Sequence, residues 1–400
     1  MNPKTTAHCL ALSVLLGSAA AYGQPCPIVD RGSATDGVTT ITVTSGPAPC
    51  VGDPLFAGWQ CMTVQSNAND NGATYDIDIR WNHVGQTPRG SFTWLSGGPS
   101  IESMRSVAPT AQQAQDTLET QENIRTIEVR YLGAFGSEIP PRNGFPNVSA
   151  TLADVIEFLV FNGIAEGVVG HYGNSAGSAQ GANALAYHDM EQLLDGVVFG
   201  GGPFGTDLQQ VCTDPASPIF GTLSTRQRTD ELNWLDLNGG TFCEDMAPQS
   251  DPPYDCRSLL GSQADSVYPN LIVNVIVGTL DQFNPWMTNS AADYLQKITA
   301  LRKTFDRPVG VIHAVYTTEL GAQLVAQRIR EIVNTKAPAT GDVNCDGLLN
   351  LDDTPALVLA LINPSLYQSA FPGCVGADVN GDGLANGEDI STFVNVLVGP

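Results

Sequence analysis

The sequence predicts an α/β fold with a mostly parallel central sheet flanked by helices, followed by a small, separate all-α module. Short apolar runs alternate with helix-like stretches through residues 91–334, the pattern of strands buried on both faces and joined by crossover helices. One stretch, about 202–269, breaks that alternation. Beyond a short linker the composition changes and an aspartate-rich pattern occurs twice. A chain of 400 residues has room for both parts, since single cores stop growing near roughly 250 to 300 residues.

Residues 1–23 read as a secretory signal: Lys4 supplies a positive start, 10–16 an apolar core, and 21–23 small residues before a cut at Gln24. The apolar run is too short to span a bilayer, and no later segment is a membrane-span candidate. The mature protein is expected to be secreted, soluble and possessed of an even set of cysteines. Of nine cysteines, Cys9 leaves with the signal and eight remain, which suits an oxidising compartment. Cys26, Cys50 and Cys61 precede the core, Cys212, Cys243 and Cys256 lie in mid-chain, and Cys345 and Cys374 lie near the C-terminus. If all eight pair and the last two pair together, one bridge must join the first group to the second. The formal net charge of -23 becomes -24 without Lys4. Such an acidic surface disfavours nucleic acid and anionic membranes as partners.

Along the chain, 38–44 and 74–81 alternate polar with apolar residues, as half-exposed edge strands do. The buried-strand runs are 91–95, 127–131, 167–171, 194–199, 271–277 and 309–313, each bounded by Gly, Pro or Asn. Helices are expected at 109–122, 151–163, 176–190, 289–304 and 321–334, with Thr151 capping the start of the second. The 202–269 stretch is rich in Pro, Asp, Gln and Cys. A structureless loop of that length is improbable inside a domain, so it reads as a disulfide-held cap. The expected organisation is a catalytic domain over 24–336, a linker at 337–341 and a module over 342–400.

The chemistry centres on Gly173-Asn174-Ser175-Ala176-Gly177. The pattern GxSxG is weak alone, but here an apolar strand runs into it and an Ala-rich helix leaves it, the setting of a nucleophile elbow. A serine hydroxyl needs a base, and the base an orienting acid. Of four histidines beyond the signal, His83 precedes the central strands, His171 lies on the strand before the elbow and His188 lies at the far end of the next helix. His313 closes the run at 309–313 and is the expected base. Asp281 follows the strand at 271–277 and is the expected acid, with Asp306 as the fallback. The backbone N–H of Ala176 should supply one oxyanion donor and Gly98, or Gly97, the second, from the Ser96-Gly97-Gly98-Pro99-Ser100 turn.

On these residues the segment 91–334 resembles the α/β-hydrolase superfamily: the elbow GNSAG, the acid turn GTLD, His313, and SGGPS, which is similar to the HGGPG turn of proline-iminopeptidase-like members although Leu95-Ser96 stands where that subgroup has His. The resemblance implies a serine hydrolase acting through an acyl-enzyme without a cofactor, usually on a carboxylic ester; with the module described next it extends to acylated polymers such as polysaccharides. An aminopeptidase, and a non-catalytic scaffold on the same fold, are the alternatives.

In the last sixty residues Asp342-Val343-Asn344-Cys345-Asp346-Gly347 recurs as Asp378-Val379-Asn380-Gly381-Asp382-Gly383. Each continues through a carbonyl position (Leu348, Leu384), an asparagine (Asn350, Asn386) and a closing aspartate (Asp353, Asp389). Alternate oxygens around an early glycine suit a twelve-residue calcium loop, so two calcium ions are expected here. The two loop-helix repeats resemble a type I dockerin, an EF-hand-like module. This implies attachment to a cohesin-like or other cell-surface partner. Leu351-Asp352 and Gly387-Glu388 occupy the positions where dockerins often carry Ser or Thr.

Overall fold

A computed structural model of the chain describes residues 40–67, 74–82, 87–98, 100–132, 145–203, 258–336, 341–344, 349–371, 374 and 376–398. It divides into two compact units, residues 1–329 and 330–400. The signal segment, His83, Cys26, all but the last residue of the linker and most of the expected cap lie outside the described residues.

The first unit is built on a nine-stranded sheet: β1 (Thr42–Pro49), β2 (Gln60–Ser66), β3 (Tyr75–Trp81), β4 (Gly90–Leu95), β5 (Ile124–Tyr131), β6 (Val168–Asn174), β7 (Gly196–Gly200), β8 (Val267–Ile276) and β9 (Thr299–Asp306). Their order is β1-β2-β3-β5-β4-β6-β7-β8-β9. The first three strands are antiparallel and β3 joins β5 antiparallel. From β5 to β9 every pairing is parallel. The helices are α1 (Met104–Val107), α2 (Pro109–Glu122), α3 (Phe145–Phe161), α4 (Ala176–Tyr187), α5 (Trp286–Lys297) and α6 (Glu319–Lys336). Strands β4, β6 and β7 are buried at every position, which explains why they read as continuous apolar runs. Trp94 of β4 and Tyr172 of β6 meet edge to face with ring centroids 4.9 Å apart, and both are fully buried.

The chain turns from β4 to β5 on one side and to β6 on the other. The carboxyl ends of β4 and β6 therefore flank a topological switch point, where open parallel sheets leave a crevice.

Four expectations need correction. The run 309–313 is no strand: the last strand is β9, at Thr299–Asp306, and Val309 is largely exposed. As the sheet's edge, β9 is solvated at alternate positions, so its charged residues read as a continuation of α5. Helix α3 begins at Phe145, and Thr151 is buried inside it rather than capping it. Strand β8 begins at Val267, so it claims the last positions assigned to the cap. Strand β2, unforeseen, pairs with β1 and β3 and is tied to the segment before it by the Cys50–Cys61 disulfide.

Asp154, on α3 and fully buried, holds the start of this sheet. It accepts hydrogen bonds from Thr40 N (3.0 Å), Thr40 Oγ1 (2.6 Å) and Ser66 Oγ (3.0 Å).

In the second unit, α7 (Asp353–Ile362), α8 (Pro364–Ala370) and α9 (Asp389–Val398) surround a small core that includes Val343, Leu357, Tyr367, Val379 and Phe393. Helix α8 was not foreseen. Its start is set by Asn363, whose side chain accepts from Leu366 N, with Pro364 in the first turn.

Candidate active site

Ser175 stands between β6 and α4 with φ 53° and ψ -117°, a conformation costing of order 1 to 3 kcal/mol unless its surroundings enforce it. The glycines of GNSAG are part of that enforcement. A Cβ on Gly173 would stand 2.4 Å from the Gly177 backbone, and one on Gly177 would stand 2.4 Å from Leu95 O. Strand, turn and helix can close this tightly only without those side chains. Ser175 N donates to Gly200 O at 2.7 Å, fixing the turn to β7.

His313 follows β9 in a loop and reaches Ser175: its Nε2 lies 2.7 Å from Ser175 Oγ. Its Nδ1 lies 2.9 Å from Asp281 Oδ2. The Asp281 side chain has no solvent exposure, and its other oxygen accepts Phe283 N–H at 2.8 Å. The Phe283 ring packs against the imidazole with centroids 4.6 Å apart and planes at 76°. Phe283 thus fixes both partners, one through its backbone and one through its ring. With its proton on Nδ1 toward the carboxylate, the neutral imidazole presents Nε2 as an acceptor for the serine hydroxyl. The arrangement can therefore withdraw a proton from Ser175 as its oxygen attacks an electrophile.

Ala176 opens α4, so its N–H has no intrahelical acceptor and lies at the positive end of the helix. Of the two glycines considered for the second donor, Gly97 is the nearer to the serine: a Cβ there would stand 2.8 Å from Ser175 Cβ. Gly98 has φ 58° and faces open space. The turn is braced from below by Ser100, whose Oγ donates to Ser96 O at 2.9 Å and accepts from Gln180 Nε2 at 3.3 Å.

The remaining candidates are engaged elsewhere. His171 is fully buried beside Thr93 Oγ1, 2.9 Å from Nδ1, and burial lowers its pKa to about 4. His188 caps the end of α4 and is buried. Asp306 is held by Arg328 through two bonds of 2.8 and 2.7 Å. Sequence reasoning missed Phe283 and Asn174, whose parts depend on contacts across the fold.

In the second unit Asp353 and Asp389 are fully buried. Each accepts three backbone N–H bonds: Asp353 from Val343, Asn344 and Asn350, Asp389 from Val379, Asn380 and Asn386. Asp378 likewise accepts from Gly381, Asp382 and Gly383, winding the second loop around its own side chains. In the first loop, Asp346 and Leu348 lie outside the described residues. Among the described residues no three His, Cys, Asp or Glu side chains are gathered as a metal cluster.

No family model matches the chain, and no curated protein matches it. The chain is similar in structure to a bacterial heroin esterase, at 16% identity and a TM-score of 0.48, over 69% of this chain and 85% of that one. It is also similar to a highly thermostable carboxyl esterase from Bacillus coagulans, at 13% identity and a TM-score of 0.44, over 69% of this chain and 98% of that one, and to a soluble variant of a monoglyceride lipase from Saccharomyces cerevisiae, at 12% identity and a TM-score of 0.40, over 65% and 92%.

Proposed function

We propose that the chain is a secreted serine hydrolase of the α/β-hydrolase type that cleaves carboxylic esters. The observation that carries this reading is the relay from Asp281 through His313 to Ser175, at 2.9 and 2.7 Å, beside the switch point of the sheet. In the first step Ser175 Oγ bonds to the acyl carbon, His313 takes the hydroxyl proton and passes it to the departing alcohol, and an acyl-enzyme remains. Water then repeats the sequence and releases the acid. Ala176 N–H, with Gly97 or Gly98, receives the charge on the carbonyl oxygen. Preference for esters rests on the resemblance of the elbow and the acid turn to those of α/β-hydrolases.

The C-terminal unit is read as a calcium-binding tether. Residues Asp342, Asn344, Asp346, Leu348, Asn350 and Asp353, and Asp378, Asn380, Asp382, Leu384, Asn386 and Asp389, would hold one ion each. An all-oxygen donor set on loops wound by their own N–H groups supports a hard cation such as calcium. No helix among the described residues is long and apolar enough to cross a membrane.

A fluorophosphonate probe and a panel of p-nitrophenyl esters and aminoacyl anilides test the reading. The wild-type protein should label and should turn over esters in preference to anilides. Ser175→Ala should do neither while staying folded. An unlabelled wild type, or full activity in Ser175→Ala, overturns it.

A further inference from the structure

Asn174 occupies the last position of β6, directly before Ser175, and is 1% exposed. Its Oδ1 accepts the backbone N–H of Val315 at 3.0 Å, with the Tyr172 hydroxyl 3.5 Å from the same oxygen. Val315 stands two residues beyond His313.

His313 lies between elements, after β9 and before a short 3-10 turn at Val315–Thr317. Its position is therefore set by individual contacts and not by a strand's ladder. Gly201 presses on it from β7's end: with φ 57°, a Cβ there would stand 2.4 Å from His313 O. Thr110 Oγ1 holds the far side through Tyr316 O at 2.6 Å. The Asn174–Val315 bond alone among these runs from the nucleophile's own strand to the base's loop.

We infer that Asn174 is a positioning residue that sets the distance between Ser175 and His313 by gripping the base's loop at Val315. The inference rests on the reading of Ser175 and His313 as nucleophile and base. A shift of about 1 Å between reacting groups costs up to roughly a hundredfold in rate. Loss of this bond should thus appear in the chemical step and not in substrate binding.

Three variants test it, with steady-state ester hydrolysis, the rate of fluorophosphonate labelling and thermal melting as readouts. Asn174→Leu keeps the γ-branched shape and deletes the acceptor. It should lower kcat and the labelling rate about 10- to 100-fold with KM nearly unchanged. Asn174→Asp keeps an acceptor oxygen and should recover most of the rate. Val315→Pro deletes the donor at the first position of a helical turn, where proline is tolerated, and should reproduce the loss. If the bond is the cause, the Asn174→Leu/Val315→Pro double variant should be no slower than either single one. Should Asn174→Leu fail to fold, Val315→Pro alone carries the comparison. Wild-type kcat in Asn174→Leu or Val315→Pro, a loss confined to KM, additive losses, or an equal loss in Asn174→Asp would each overturn the inference while leaving a labelled, active wild type. A wild type that neither labels nor turns over would overturn the reading of Ser175 and this inference with it.

Discussion

Gly97 and Ser175 meet with no room for a side chain between them: a Cβ on Gly97 would stand 2.8 Å from Ser175 Cβ and 3.4 Å from its Oγ. Ser175 is held in a strained turn between two packed elements and has little freedom to move away. Gly97→Ala should therefore push the hydroxyl off the His313 nitrogen and reduce kcat by roughly tenfold or more. Gly98→Ala meets open space and should cost of order 1 kcal/mol of stability through its left-handed φ, with kcat less affected. Comparing kcat and melting temperature for the two proteins checks this, and the reverse ranking would contradict it.

Acid should expose the burial of His171. Its pKa lies near 4 because burial penalises the charged ring, while the unfolded chain's histidine titrates near 6.5. Between those values the unfolded state binds a proton that the folded state refuses. Stability is thus full above pH 6.5 and falls as pH drops toward 4, by up to a few kcal/mol. The melting temperature should decline across that window, and less steeply in His171→Gln. Parallel curves for the two proteins would refute the assignment.

Cys50 and Cys61 close a short loop, with a sequence separation of 11, that fastens the edge strand β1 beside β2. Opening it enlarges the unfolded ensemble, an effect of about 2 to 3 kcal/mol for a loop of this size. Cys50→Ser should lower the melting temperature by several degrees and leave ester hydrolysis intact, because the relay lies at the other end of the strand order.

Calcium should act on the C-terminal unit alone. Adding it to the full chain should stabilise residues 330–400 against proteolysis and thermal unfolding, and EGTA should reverse this. Ester hydrolysis should be indifferent to both. Asp389→Ala removes a carboxylate that gathers three backbone N–H groups and should abolish the calcium response of its loop. A response unchanged in that protein would show that the ion binds elsewhere.

What could be read from the sequence followed from how local each signal is. The elbow was legible because strand, glycine, serine, glycine and helix are contiguous, and their geometry is a matter of five residues. Asp281 was legible as the first acid past a buried strand. His313 was named for its place near the chain's last parallel element, but the strand attached to it was misplaced. The edge strand β9 is exposed at Thr299, Leu301 and Lys303 and fully buries none of its residues, whereas the more apolar 309–313 lies in the loop. Neither Asn174 nor Phe283 carries any signal, since each acquires its part by meeting a segment thirty or more residues away or by turning back on its own loop. The closing aspartates of the C-terminal loops were anticipated as ligands. Their capture of three main-chain amides each is a tertiary fact that spacing does not announce.

The bonds from Asp154 to Thr40 and Ser66 span 114 and 88 residues. A polypeptide emerging from its N-terminus releases β1 and β2 long before α3 has been made. Strand β3 also waits, since its partner on the far side is β5 and not the next strand in line. The antiparallel end of the sheet is consequently the first to be synthesised, yet its tie to α3 is a long-range contact that cannot close until residue 154 exists. Until then its strand edges are open to pairing with other chains, and the interval is set by the time taken to produce residues 67 to 154.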